Sequence, residues 1–156
     1  MSLRILVVDD HDVVRQGVRL ILRRQTGWVI CGEAENGLEA IEKGRGLKPD
    51  LIILDISMPG KDGLEVIAEL RATNSSAKIL ALTMHDSEEL ITALKTAGAQ
   101  GHVVKSHAAR DLAKAIQTIV DGGDFFDSPL PTKPEGLEKR KKKFPLLRLD
   151  ALPALA

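Results

Sequence analysis

The segment LIILD, Leu51 to Asp55, runs through four apolar residues without polar alternation and stops on a carboxylate. A strand with one wet face alternates. A run that does not is buried on both faces, as in parallel sheets covered by helices. Similar strand-like runs occur at 4–8, 28–34, 78–83 and 101–104. Between them the apolar period lengthens to about 3.6 residues, that of an amphipathic helix. Val13, Val14, Gly17, Val18, Ile21 and Leu22 form the first such stripe. Leu38, Ala40 and Ile41 mark a second helix near 37–47, and Leu64, Val66, Ile67 and Leu70 a third near 63–72. Leu90, Ile91 and Leu94 mark a fourth near 87–97, with Asp86 and Glu89 as its expected capping box. Leu112, Ala113, Ile116, Ile119 and Val120 mark a fifth near 109–121. Strands alternating with helices imply βαβ units and a parallel sheet. Right-handed crossovers leave few topologies, and the spatial order 2-1-3-4-5 is the expected one.

The strand ends carry the chemistry. Asp9 and Asp10 follow the first strand, Asp55 closes the third, Thr83 the fourth, and Lys105 follows the fifth. Ligands of open α/β sheets bind outside the carboxyl ends of the strands, where the strand order reverses. Taken singly these residues have plain explanations: Asp10 or Asp12 as a helix cap, Thr83 as a β-branched strand residue, Lys105 as a solvated lysine. Asp55 resists such an explanation, because a carboxylate closing a buried apolar strand is costly without a partner. Two carboxylates about 5 Å apart repel by roughly 3 kcal/mol at an effective dielectric of about 20. A cluster of three must be relieved by protonation, by a cation or by solvent. An oxygen-only, wet site suits Mg²⁺, which keeps several waters. A phosphoryl group would complete the set, its oxygens met by metal, by the ammonium of Lys105 and by the hydroxyl of Thr83.

With these residues in view, the chain resembles the response-regulator receiver domains of two-component signalling over about residues 3–126. The motifs are VVDDH at Val7 to His11, LDISMPG at Leu54 to Gly60, LT at Leu82 to Thr83 and VVKS at Val103 to Ser106. DDHDVVRQG at Asp9 to Gly17, with LTMHD at Leu82 to Asp86, is similar to the NarL/FixJ class. The resemblance implies a flavodoxin-like five-stranded parallel sheet with five helices. It implies that Asp55 accepts a phosphoryl group from a sensor histidine kinase. It assigns Mg²⁺ to Asp10, Asp55 and the main-chain carbonyl of Ser57, with Asp9 acting mainly through metal-bound water. Lys105 and Thr83 would contact the phosphoryl oxygens. Ser57 and His85 occupy positions that tune hydrolysis in this family. The domain would assist its own phosphorylation and dephosphorylation without being an enzyme on other substrates.

One position departs from the family. The aromatic residue expected three places before the lysine, whose ring turns inward on activation, is His102 here, and the chain has no tyrosine. His102 is read either as a switch that is weaker, pH-sensitive or built differently, or as an exposed strand-edge histidine with no switching role. His11 is expected at a helix start, facing solvent or the kinase.

Other chemistries fit less well. No GxGxxG or P-loop pattern occurs, and DDHD is electrostatically wrong for an FMN phosphate without metal. A haloacid-dehalogenase-like phosphatase would use Asp10 and Asp12 as a DxD but leaves Asp55 idle. No His/Cys set has zinc spacing. The lone Cys31 reads as a small buried strand residue and excludes an internal disulfide. With no apolar run near the about 20 residues of a membrane span, a cytoplasmic protein without membrane contact is expected.

The domain is expected to end near residue 128. Residues 129–156 hold seven basic and three acidic residues, and Pro129, Pro131 and Pro134 mark a linker. They read as a disordered basic and apolar tail, with KRKKK at Lys139 to Lys143 and no complete DNA-binding domain. The composition shift past Ser128 reads as a chain cut or altered there, or as a short single-domain regulator. Two outputs follow. A transcriptional regulator would dimerise on phosphorylation and reach DNA only through a domain absent from this chain. A stand-alone receiver would work in a phosphorelay or by protein binding.

Overall fold

A computed structural model describes residues 2–73 and 76–126. The expected tail at 129–156 lies outside the described residues. The chain runs β1 (Leu3–Val8), α1 (Asp12–Arg23), β2 (Trp28–Ala34), α2 (Gly37–Leu47), β3 (Leu51–Asp55), α3 (Gly63–Thr73), β4 (Lys78–Thr83), α4 (Glu88–Ala97), β5 (Gly101–Val104), α5 (Ala108–Val120) and β6 (Phe125–Phe126). Lys105–His107 form a short 3₁₀ turn into α5. All strands are parallel, in the order β2-β1-β3-β4-β5-β6. The expected 2-1-3-4-5 sheet is therefore present, extended by β6. Two residues are too few to show a period, so β6 was not legible as a strand.

The sheet separates two cores because side chains alternate along each strand. Leu6, Val8, Ile52, Leu54, Ile79 and Ala81 face one side, with α2, α3 and α4 residues such as Ile41, Ile67 and Leu94. Ile5, Val7, Ile53, Leu80 and Val103 face the other, with Val18 and Leu22 of α1 and Leu112 and Ile116 of α5. All five residues of LIILD are buried, as its lack of alternation requires. Phe126 packs against the first core and Phe125 against the second. A Cβ on Gly101 would lie 2.8 Å from the Phe125 carbonyl oxygen, so glycine there lets β6 close onto β5.

Several local expectations are corrected. Val13 and Leu38 are 77% and 72% exposed, on the outer faces of α1 and α2 rather than in the stripes assigned to them. Ser87, not Asp86, caps α4: its extended backbone lets the side chain accept a hydrogen bond from Leu90 N at 3.1 Å. Neither Asp10 nor Asp12 caps α1, whose N-cap is His11. Cys31 is only half-buried, because the β1–β2 register slips between Ile5 and Leu6 and leaves it bulged out of the ladder. Burial still pushes its thiol above the usual value, which favours the inert form. Among the described residues no helix is long and apolar enough to cross a membrane.

Candidate functional site

Sheet register brings the strand ends level. Val8 pairs with Leu54, so Asp9 arrives beside Asp55; Thr83 pairs with Val104, so Lys105 follows immediately. Asp9 and Asp55 are essentially without solvent exposure, at 0% and 1%. Lys105 Nζ lies 3.0 Å from Asp9 Oδ2 and 3.1 Å from Asp55 Oδ2, bridging β1 and β3 from the end of β5. Burial alone would pull the Lys105 ammonium down, but its contacts with Asp9 and Asp55 outweigh burial and hold it above the usual lysine value.

The other oxygens of these acids order the loops. Asp9 Oδ1 accepts from His11 N at 2.8 Å. His11 Nδ1 stands 3.2 Å from both Asp9 Oδ1 and Asp10 Oδ1, so His11 begins α1 yet leans over the acids. Asp55 Oδ1 accepts from Ser57 N at 2.9 Å and from Ser57 Oγ at 2.8 Å, turning the chain back after β3. Asp10 is partly exposed and forms the mouth of the site.

One ligand atom from each of Asp9, Asp10, His11 and Asp55 falls in a group whose atoms lie within 4.8 Å of one another. Asp9 Oδ2, Asp10 Oδ1 and Asp55 Oδ2 are buried oxygens that accept no well-directed hydrogen bond from described residues. Three carboxylates against one lysine leave excess negative charge in a place of low dielectric. Such oxygens and such charge form an acidic pocket fitted to a hard divalent cation. Asp12, the second acid of the phosphatase DxD, points elsewhere: its oxygens pair with Arg15 at 3.2 Å and with Gln16 at 2.9 Å. That removes the phosphatase alternative.

Thr83 and His102 form a second group beside the first. Thr83 Oγ1 donates to the main-chain oxygen of His85 at 2.7 Å, and His102 Nε2 lies 3.0 Å from the same hydroxyl. His102 is fully buried, and β6 covers the edge of β5. The exposed strand-edge reading of His102 is therefore wrong; Phe125–Phe126 supplies the strand that shuts the edge. The His85 side chain is exposed and only its carbonyl takes part.

One site residue was missed. Arg15 is 8% exposed; its guanidinium donates to Asp9 O at 2.6 Å and to Glu33 Oε1 at 2.9 Å, locking the β1–α1 turn that carries the acids. A charged residue on α1 gives no sequence signal of burial, since its partner Glu33 comes from β2.

The model of the response regulator receiver domain matches residues 5–117. Response regulator GacA of Pseudomonas viridiflava is 37% identical over 127 residues, 81% of this chain and 59% of that protein. The nitrate/nitrite response regulator protein NarL of Escherichia coli (strain K12) is 40% identical over 119 residues, 76% of this chain and 55% of that one. The chain thus spans between 55% and 59% of the length of these relatives. The non-phosphorylated receiver domain of the stress response regulator RcsB from Escherichia coli superimposes with a TM-score of 0.77 at 28% identity, covering 82% of this chain and 100% of that one. A receiver domain of RcsB from Salmonella enterica serovar Typhimurium, with phosphomimetic BeF3⁻, gives 0.76 at 28% identity, covering 83% and 96%. The chain belongs to the response regulator receiver family, and it carries the receiver domain of NarL/FixJ-type response regulators.

Proposed function

We propose that Asp55 is the phosphoacceptor of this domain and that a sensor histidine kinase supplies the phosphoryl group. The observation that carries this reading is the convergence of Asp9, Asp55 and Lys105, with Nζ at 3.0 and 3.1 Å from the two acids. Asp10, Asp55 and the Ser57 carbonyl would hold Mg²⁺, with Asp9 beside them in the same acidic group. When bound, the metal neutralises charge on the transferring oxygens.

The residues then have distinct tasks. The Asp55 carboxylate attacks the phosphohistidine phosphorus in line. An O–P bond forms, the N–P bond breaks, and the kinase imidazole leaves with the bonding pair and takes up a proton. Ser57 N and Oγ hold Asp55 Oδ1 in a fixed direction, which leaves little reorganisation for the step. Lys105 stabilises the negative charge that arrives on the acyl phosphate. Thr83 donates to a phosphoryl oxygen after leaving the His85 carbonyl, and this biases the α4–β5–α5 face between two states. Ser57 and His85 flank the group and set how readily water reaches it. The domain is a signalling switch that assists its own modification, in the cytoplasm where an ATP-driven kinase supplies it.

We further propose that the whole protein is a transcriptional regulator that dimerises on phosphorylation and touches DNA through a part outside the described residues. The solved relative RcsB is described as dimers bound to DNA.

Intact mass after incubation with acetyl phosphate tests the site. The wild-type chain gains one phosphoryl group in the presence of Mg²⁺ and none after chelation. Asp55→Asn gains none. Uptake by Asp55→Asn at the wild-type rate would overturn the assignment.

A further inference from the structure

Ala81, His102 and Phe126 form a row across β4, β5 and β6, and Thr83 lies two residues further along β4 on the same face. Ala81 pairs with His102, and His102 pairs with Phe126. Ile79, Ala81 and Thr83 share one face of β4 by strand alternation. Phe126 packs on that same side against the first core, under α4, where Lys95 Nζ lies 4.9 Å from its ring centroid. His102 is thus enclosed from the outer edge and reaches inward to Thr83.

The protons of this group can be counted. A threonine hydroxyl has one proton and two acceptor lone pairs. Thr83 spends its proton on the His85 carbonyl, which can only accept. The oxygen can therefore only accept from His102, and Nε2 must be the protonated ring nitrogen.

We infer that His102 is a positioning residue for the switch: its Nε2–H occupies a lone pair of the Thr83 hydroxyl and so aims the single Thr83 proton. In the resting domain the proton points at the His85 carbonyl. When a phosphoryl oxygen is present at Asp55, the same donation leaves the hydroxyl free to turn its proton there. This second half rests on Asp55 being the phosphoacceptor. The family's aromatic ring at this position swings inward on activation. Here the ring is already inward and backed by β6, so it has no swing to make. What changes is the acceptor of one hydroxyl proton, a task that neither Phe nor a ring without a donor performs.

Two measurements on the full chain test this. Long-range ¹⁵N–¹H correlation on the His102 ring of the wild type should show a protonated Nε2; an unprotonated Nε2 overturns the inference whatever Asp55 does. Titration with beryllium fluoride and Mg²⁺ then reads the second half. His102→Phe should raise the half-saturating concentration about fivefold, the size of one neutral hydrogen bond. His102→Gln, which restores an N–H donor, should recover most of that. In a Thr83→Ala background His102→Phe should add no further shift. A shift that persists without the Thr83 hydroxyl marks a merely structural role and overturns the inference. Should His102→Phe not fold, the ring tautomer and His102→Gln decide alone. A wild type with protonated Nε2 that binds no beryllium fluoride overturns the phosphoacceptor reading instead, and with it the activated half of the inference.

Discussion

Two cations are half-buried at opposite ends of the sheet, and their partners differ in kind. Arg71 of α3 sits at the entry to β4 and β5. It donates to Gly98 O from Nε at 3.0 Å and from Nη2 at 2.8 Å, to Gln100 Oε1 at 2.6 Å, and to Ala77 O. All these acceptors are neutral. Burial pulls the Arg71 guanidinium below its usual value, though it stays charged. Lys105, at the exit of β5, faces two carboxylates, which hold its ammonium above the usual value against burial. One end is closed by hydrogen bonds that tie α3 to the β4–β5 loops. The other holds charge in excess, with the carboxylates of Asp9, Asp10 and Asp55 gathered around one lysine. Neutral satisfaction makes a staple; unbalanced charge makes a site. A cavity of about 680 Å³, lined by Arg45, Lys48, Lys78 and Asp50, lies at the stapled end, away from the chemistry. Volume is thus a poorer guide here than charge.

The sharpest way to break this contrast is Lys105→Met. It should lower the rate of phosphoryl uptake from acetyl phosphate by about 10²–10³, the scale of losing one aimed charge-stabilising donor. The same variant should also melt below wild type, because it leaves Asp9 and Asp55 as buried carboxylates without their counter-charge. A fall in rate under threefold would break the comparison at its functional end. At the other end, Arg71→Met should cost about 2 kcal/mol in urea unfolding, since several carbonyls lose their donor in a partly buried place. Its phosphoryl uptake should match wild type once folded. An uptake defect larger than the stability defect would show the two ends to be coupled.

Asp10→Asn sharpens the claim of excess charge. Without Mg²⁺ it should raise stability by about 1 kcal/mol, by relieving one carboxylate repulsion. With millimolar Mg²⁺ the order should reverse, because the wild type gains by mass action and the variant gains less. Thermal melts with and without the metal read both arms. The smallest effect lies in alkaline solution. Lys105 has its folded value raised above the unfolded one, about 10.4. Its stabilising share is therefore complete below that pH and is lost as pH rises through the folded value. Unfolding free energies above about pH 10, where the unfolded lysine begins to lose its proton, should fall more for wild type than for Lys105→Met. Equal slopes would deny the ion pair a role in folding.

Much of this architecture was legible in the chain. Unalternating runs such as LIILD announced buried parallel strands, and all five major strands fall where they were expected. The convergence of Asp9, Asp10, Asp55, Thr83 and Lys105 followed from parallel topology alone, because every strand of such a sheet ends on the same side. Details set by neighbours were not legible. The cap of α4 moved by one residue because Ser87 takes the extended backbone that capping needs. Cys31 left its place in the ladder through a bulge that no single-strand pattern encodes. Arg15 became a buried tie because Glu33, remote in sequence, stands beside it.

His102 shows where that boundary falls. Its position three residues before Lys105, and its departure from an aromatic, could be read directly from the chain. Its burial, its Thr83 partner and the strand behind it could not. Period and residue type report on forces that act along one segment: burial on two faces, helix stripes, carboxylates at strand ends. Which proton a threonine gives to which acceptor depends on three strands and a loop meeting within about 3 Å, the reach of a hydrogen bond, and only the folded sheet brings them there.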